Sequence, residues 1–345
     1  MNHKINLMND YNLTAHPEVI GALAAAGNRR YTGYGDDEET LRACDLIRVE
    51  AGLPGADVYL LSGGTQTNMI AARAFLRPHE AIIATETSHI YNHETGAIEA
   101  AGHKILPFAG SDGKLLPGEI EQAIANHVDE HMVRPKMVYL SQATEYGTVY
   151  SREELVEIKE ACVKHGLYLY VDGARLGYAM AAEGGEGCGI KEVAAEADAF
   201  YIGGTKQGLL FGEALVISNE NLKKDFRFIL KQGGGMLAKG FVLGIQFRVL
   251  FQNGLYYKLS KQANEKAKKL RDGIRELGYE FEIESVANQV FPIVDNQVMA
   301  ELEKDFLFEK WHRKDEGRMS IRFTTTWATP DENIEALLSA LKKLR

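Results

Sequence analysis

Lys206 stands in the run YIGGTKQG, behind two glycines and between apolar stretches. A lysine held in an apolar pocket has a lowered pKa and can attack an aldehyde as a free amine, whereas a solvent-facing lysine has no such role. Asp172 closes the run YLYVD and is followed by Gly173, Ala174 and Arg175. A carboxylate at the end of a buried strand needs a partner. A protonated heterocyclic nitrogen, the Arg175 guanidinium or the free amides of a helix that Asp172 caps would each serve. His89 follows another apolar run and lies four residues before His93. It suits stacking on a flat ring, acid–base work or a plain structural role. A metal site is not expected: the pair lacks a third ligand at a usual spacing, and no His-Glu-x-x-His pattern occurs. In YLLSGGTQTNM a strand pattern stops at Leu61 and a helix pattern begins after Gly63 and Gly64. Unsatisfied N–H groups and the helix dipole favour an anion there, with Thr65 and Gln66 as added donors. The same glycines also suit an ordinary strand-to-helix link.

These residues need a scaffold. Short apolar runs recur at 58–61, 81–84, 104–108, 137–140, 167–171, 199–202 and 214–217. Helical patterns lie between several of them. Ser151 and Glu154 form a capping box, Leu155, Ile158 and Cys162 follow on one face, and Gly166 ends the pattern. Strands alternating with helices predict an α/β layer around a mostly parallel sheet. In such sheets ligands gather at the carboxyl ends of the strands, where Leu61, Asp172 and the glycines before Lys206 all fall. From about residue 256 the character changes. A charged helix pattern runs to 277 with Leu259, Ala263, Ala267 and Leu270 recurring. Strand-like runs at 279–284 and 288–294 follow, then a helix from about Asn296, a strand-like run at 318–327 and a last helix near Pro330. The expected division is an N-terminal segment at 1–14 near the active site, a large cofactor-binding domain at 15–250 and a small α+β domain at 251–345.

The 345 residues are 45% hydrophobic, enough for a substantial core. A net charge of −9 argues against a nucleic-acid partner. No stretch reaches 18 apolar residues, and the start MNHKINLMND has no signal-peptide block. Cys44, Cys162 and Cys188 are odd in number and far apart, which suits neither a disulfide framework nor a zinc site. A cytoplasmic protein without a membrane partner is expected.

An amine nucleophile, a strand-end carboxylate, a flat stacking partner and a phosphate anchor are together the parts that pyridoxal phosphate needs. The sequence resembles the pyridoxal-phosphate enzymes of the aspartate aminotransferase fold (fold type I), and within them the threonine aldolase and β-eliminating lyase family. The resemblance rests on TGYGDDEET, SGGTQTNM, ETSHI…ETGA, DGARLG and GGTKQG…FGEALV, in the family's order over about residues 5–250, with a looser match at SIRFTT. It implies a seven-stranded, mostly parallel sheet flanked by helices. It also implies that Lys206 carries the cofactor as an imine, Asp172 pairs with the pyridine nitrogen and His89 stacks on the ring. Gly64, Thr65 and Gln66 would hold the phosphate, and Gly63, Arg175 and Thr205 would also contact the cofactor. Arg175 and Arg322 would bind the substrate carboxylate; Arg322 in its strand-like run also suits a bidentate clamp unaided.

The activity implied is cleavage of the Cα–Cβ bond of a β-hydroxy-α-amino acid to glycine and an aldehyde. β-Elimination and transamination are the rivals. Three departures from the family pattern bear on this. In NLMNDY, Asn9 replaces a carboxylate-holding serine and Met8 an arginine, while Asp10 is kept. In YLSQATEYGTVY, Thr144 stands where the family has a histidine that handles the β-hydroxyl, leaving His93, Glu145, Tyr146 or a water as substitutes. In GGGMLAKG, Leu237 replaces an arginine, with Lys239 two residues on. This last stretch resembles the family's subunit contact, which implies a homodimer or homotetramer with active sites near the interface.

Overall fold

The computed structural model describes residues 4–182 and 188–345. Its large sheet has seven strands: β1 Asp57–Leu61, β2 Glu80–Thr85, β3 Ile105–Phe108, β4 Arg134–Ser141, β5 Tyr168–Asp172, β6 Ala199–Gly203 and β7 Glu213–Ile217. Their spatial order is β1-β7-β6-β5-β4-β2-β3. Only β7 runs antiparallel to its neighbours. All seven lie where the apolar runs place them.

The runs are continuous rather than alternating because both faces of the sheet are buried. Alternate residues serve opposite faces. Val138, Leu140, Leu169, Val171, Phe200 and Ile202 join one hydrophobic cluster; Met137, Tyr139, Tyr170, Ala199 and Tyr201 join the other. The second face carries a layer of tyrosines. Asp172 shares the parity of Tyr170, so it emerges from the sheet on that layer.

The helix Arg152–His165 is capped as expected. Ser151 Oγ accepts from Glu154 N at 3.2 Å, Ser151 N donates to Glu154 Oε2 at 2.7 Å, and Gly166 closes the helix at φ +65°. The helix Leu255–Glu276 contributes Leu255, Tyr256 and Leu259 to the first large cluster. Further along it contributes Ala267, Leu270 and Ile274 to a third cluster. That third cluster lies beneath the antiparallel strands β8 Ile293–Asp295, β9 Glu309–Arg313 and β10 Arg318–Thr324 and the final helix Asp331–Leu344. The run 279–284 does not form the expected strand. It makes one bridge, Phe281 to Pro292. Pro292 has no N–H to donate, and the run 288–294 breaks there into Gln289–Val290 and β8.

The strand Ile5–Asn6 pairs in parallel with Phe306–Leu307, and Leu7 joins the third cluster. The chain then delivers Asp10 to the carboxyl ends of the large sheet. Among the described residues no helix is long and apolar enough to cross a membrane.

Candidate active site

Asp172 ends β5 and is 3% exposed. Its Oδ2 accepts from Tyr139 Oη at 2.5 Å and Asn68 Nδ2 at 3.2 Å; its Oδ1 accepts from Tyr201 Oη at 2.5 Å and Ala174 N at 3.0 Å. Burial, then the Asp172 charge, push the Tyr139 and Tyr201 hydroxyls well above the usual phenol range, so both remain donors. Asn68 continues the network to Glu94 Oε1 at 2.9 Å, and the same oxygen bonds His89 Nδ1 at 2.9 Å. Burial pulls the His89 imidazolium down. The Glu94 hydrogen bond and the charges of Glu145 and Asp172 outweigh it, and the net shift is upward. One polar chain thus fixes both the strand-end carboxylate and the ring orientation of His89. His93 lies beside it, ring centroids 5.5 Å apart.

Lys206 sits in a single 3₁₀ turn, Thr205–Gln207, directly after β6. The two glycines before it are required by close packing. A Cβ on Gly203 would fall 2.4 Å from the Ala174 carbonyl oxygen, and one on Gly204 2.4 Å from Leu209. Burial, then the Arg175 charge, lower the Lys206 pKa. Among the described residues no hydrogen bond or ion pair holds its Nζ, which faces a cavity walled also by Asp172, His89 and Glu145. The turn is tied to a residue that the sequence reading missed. Glu213, the first residue of β7, accepts from Thr205 Oγ1 at 2.8 Å and Gly204 N at 3.1 Å. Burial pushes its carboxyl up to about 8, against the opposing pull of Thr205 and Lys206. The available signal was a charged residue opening the buried run FGEALV.

The same cavity reaches the start of the helix Gly64–Phe75, with Ser62, Gly63, Gly64 and Thr65 on its wall. A Cβ on Gly64 would come within 3.0 Å of Tyr201 Oη, so the backbone here lies close against the site. Gln66 is turned aside. Its Oε1 accepts from Ser62 Oγ at 2.8 Å and its Nε2 donates to the Gly233 carbonyl at 3.3 Å, bracing the loop rather than lining the cavity.

Beyond Lys206 the cavity opens between Arg175, Arg322, Glu145, His93, Glu309 and Tyr11. Arg175 Nε and Nη2 bond both oxygens of Asp10, at 2.9 and 3.1 Å, and its Nη1 lies 3.8 Å from Glu145. Asn288 Nδ2 supports Asp10 at 3.0 Å. Burial alone would raise the Asp10 pKa; the Arg175 and Lys206 charges win and hold it at about 2. Arg322, on β10, stacks its guanidinium 4.8 Å over Trp311 and pairs through Nη2 with Glu309. Asn9 spends its Oδ1 on the Tyr11 amide at 3.2 Å and does not line the cavity. Thr144 is 1% exposed, hydrogen-bonded to Thr148 Oγ1 at 2.6 Å, and also lies off the wall. Tyr146 packs edge-on against Phe291 and Trp311. Of the substitutes for the absent histidine, Glu145 and His93 face the open space. Among the described residues no group of three or more His, Cys, Asp or Glu side chains is placed to hold a metal ion.

This arrangement offers an uncommitted amine, an ionisable strand-end carboxylate, a glycine-lined helix start and a pair of arginines around one cavity. The Beta-eliminating lyase family profile matches residues 14–297. The low specificity L-threonine aldolase of Pseudomonas aeruginosa is 32% identical over 330 residues, covering 93% of this chain and 92% of that protein. The enzyme of the same description from Pseudomonas sp. is 30% identical over 332 residues, 94% of each. Among solved structures, a threonine aldolase from Leishmania major superposes with a TM-score of 0.97 at 42% identity over 99% of both chains. Aspartate aminotransferase from Thermus thermophilus shares the fold, with a TM-score of 0.74 at 18% identity, covering 99% of this chain and 92% of that one.

Proposed function

The chain belongs to the β-eliminating lyase family of pyridoxal-phosphate enzymes with the aspartate aminotransferase fold, and on that premise we propose that it cleaves β-hydroxy-α-amino acids to glycine and an aldehyde, as a low-specificity threonine aldolase does. The observation that carries the reading is Lys206. Its amine is shielded, lowered in pKa and unpaired, and faces a cavity shared with Asp172 and His89.

The residues fit the cofactor. Gly63, Gly64 and Thr65 present a helix start to a phosphate. Asp172 offers a carboxylate to a pyridine nitrogen, and His89 a ring whose orientation Glu94 fixes. When bound, pyridoxal phosphate supplies an aldehyde for attachment and an electron-withdrawing ring. Lys206 Nζ would provide the attachment point, Asp172 would keep the ring nitrogen protonated, and His89 would lie against the ring. Arg322, with Arg175 behind it, receives the substrate carboxylate and points the side chain toward Glu145 and His93. One of these bases takes the β-hydroxyl proton as the Cα–Cβ bond breaks. The aldehyde leaves, and Cα accepts a proton to complete glycine.

The loaded protein given threonine, serine or phenylserine is expected to release glycine and aldehyde in equal amounts. Ammonia with a 2-oxo acid and no glycine would overturn this in favour of β-elimination. A pyridoxamine-form spectrum with no aldehyde would favour transamination.

We also propose that the protein is a homodimer or a dimer of dimers. Support comes from the exposed Tyr34, Leu41 and Phe228, which rim a groove with Met236 and Leu237. Lys239, exposed two residues beyond Leu237, would on this reading bring positive charge toward a partner's site. Sedimentation of the loaded protein at micromolar concentration tests this, and a monomer would overturn it.

A further inference from the structure

Arg322 is buried in the wall of the open half of the cavity, with a side chain only 8% exposed. A buried guanidinium left without an anion is costly. In the absence of substrate the anion is Glu309. The two residues are register partners on adjacent antiparallel strands, so their side chains share one face of the sheet. One pair further on, after Lys310–Ile321, the register shifts between Lys310 and His312, and the ring of Trp311 within the irregularity lies 4.8 Å from the Arg322 guanidinium. Trp311 thereby covers the guanidinium while Glu309 pairs with its Nη2. The guanidinium is not saturated: Nε, beside Nη2 on the same fork, is buried without a hydrogen-bond partner among the described residues. The Glu309 side chain is 40% exposed and borders the cavity, so it has solvent to retreat into.

We infer that Glu309 is an internal carboxylate latch: it neutralises Arg322 in the empty site and is exchanged for the carboxylate of the incoming amino acid. This rests on Arg322 being the substrate-carboxylate site. Binding is then a swap of one carboxylate for another rather than the gain of a new ion pair. The latch lowers the affinity for every α-amino acid, and glycine, the product, carries no side chain to compensate. Glu309 thus helps product to leave, and Arg322 is never stranded as an unpaired buried charge between turnovers.

The test is a double-mutant cycle on the cofactor-loaded protein, with glycine binding followed by calorimetry. Glu309→Gln is expected to tighten glycine binding about two- to fivefold, the range of a partly exposed ion pair. Glu309→Ala should tighten it similarly. In an Arg322→Lys background, where glycine binding is weakened, the tightening should shrink or vanish. Unchanged or weaker binding in both Glu309 variants, each with wild-type circular dichroism, would overturn the latch and leave Glu309 as a support for Arg322. Glycine binding in Arg322→Lys equal to wild type would instead remove Arg322 from the carboxylate site, and the latch with it.

Discussion

At the ring end of the cavity, Asp172 accepts from four donors, all on the central strands, the neighbouring helix or the loop that follows β5. At the carboxylate end, Arg322 keeps an unsatisfied Nε and a half-exposed partner, while Arg175 draws its own partner from 165 positions away. The first end is a product of the sheet; the second is a convergence of distant segments. A group that must hold one protonation state through a reaction is best served by a saturated, rigid surround. A group that must take up and release a charged ligand needs a valence left open.

This contrast can be broken by substitution, and the largest effect belongs to the ring end. Lys206→Ala should lower turnover by at least about a thousandfold, because the amine that would attach the cofactor is removed. Borohydride treatment followed by mass spectrometry should show the cofactor fixed on the wild type and absent from the variant. Asp172→Asn comes next. Its amide NH₂ must face either the Tyr139 and Asn68 donors or the Tyr201 and Ala174 donors, so one pair loses its acceptor. The expected cost is about 1–3 kcal/mol for each donor stranded, read as a lower Tm, together with a large fall in kcat. Retention of both Tm and kcat would remove the claim that the ring end is rigidly saturated.

At the other end, Asp10→Asn removes the bidentate counter-ion of the buried Arg175 and leaves it only Glu145, 3.8 Å away. A loss of about 3–5 kcal/mol in a denaturant titration is expected, with KM rising more than kcat falls. The Asp10 carboxyl is depressed from 3.8 to about 2. Its contribution to stability is therefore complete above the unfolded value and is lost as pH falls through about 2. Acid unfolding should begin at higher pH in the variant.

Glu213 gives the smallest effect and the opposite sign. Its carboxyl is raised from 4.5 to about 8, so its contribution is complete below pH 4.5 and is lost as pH rises through about 8. Glu213→Gln should flatten the fall of Tm across that window while retaining the hydrogen bond from Thr205. An unaltered pH profile would show that Glu213 is not the group responsible.

The two ends were also unequally legible in the sequence. Burial on both faces leaves a continuous apolar run, and all seven strands of the large sheet could be read from that signature. Asp172 and Lys206 were visible because a polar residue at the carboxyl end of such a run has few ordinary reasons to be there. Asn68 and Glu94 lie inside two stretches that carry the family resemblance, SGGTQTNM and ETGA, but nothing in those stretches names their partners, and the fold brings them to Asp172 and His89. Nothing local links Asp10 to Arg175, or Asn288 to Asp10 across 278 positions. The run 279–284 looked like a strand from its alternation. The bonds it makes, Glu282 N to the Phe291 carbonyl at 3.0 Å and Ile293 N to the Glu280 carbonyl at 2.8 Å, flank one bridge and extend no further.

The pairing of Ile5–Asn6 with Phe306–Leu307 has a consequence for how the protein is made. A chain emerging from the ribosome exposes residues 5–7 long before their partner strand at 306–307. The large sheet can assemble while synthesis continues, but Asp10 has no anchored approach to Arg175 until the far end of the chain is released. The carboxylate end therefore waits on residues 306–307, and a nascent chain halted before residue 306 would hold a finished sheet beside an unfinished site.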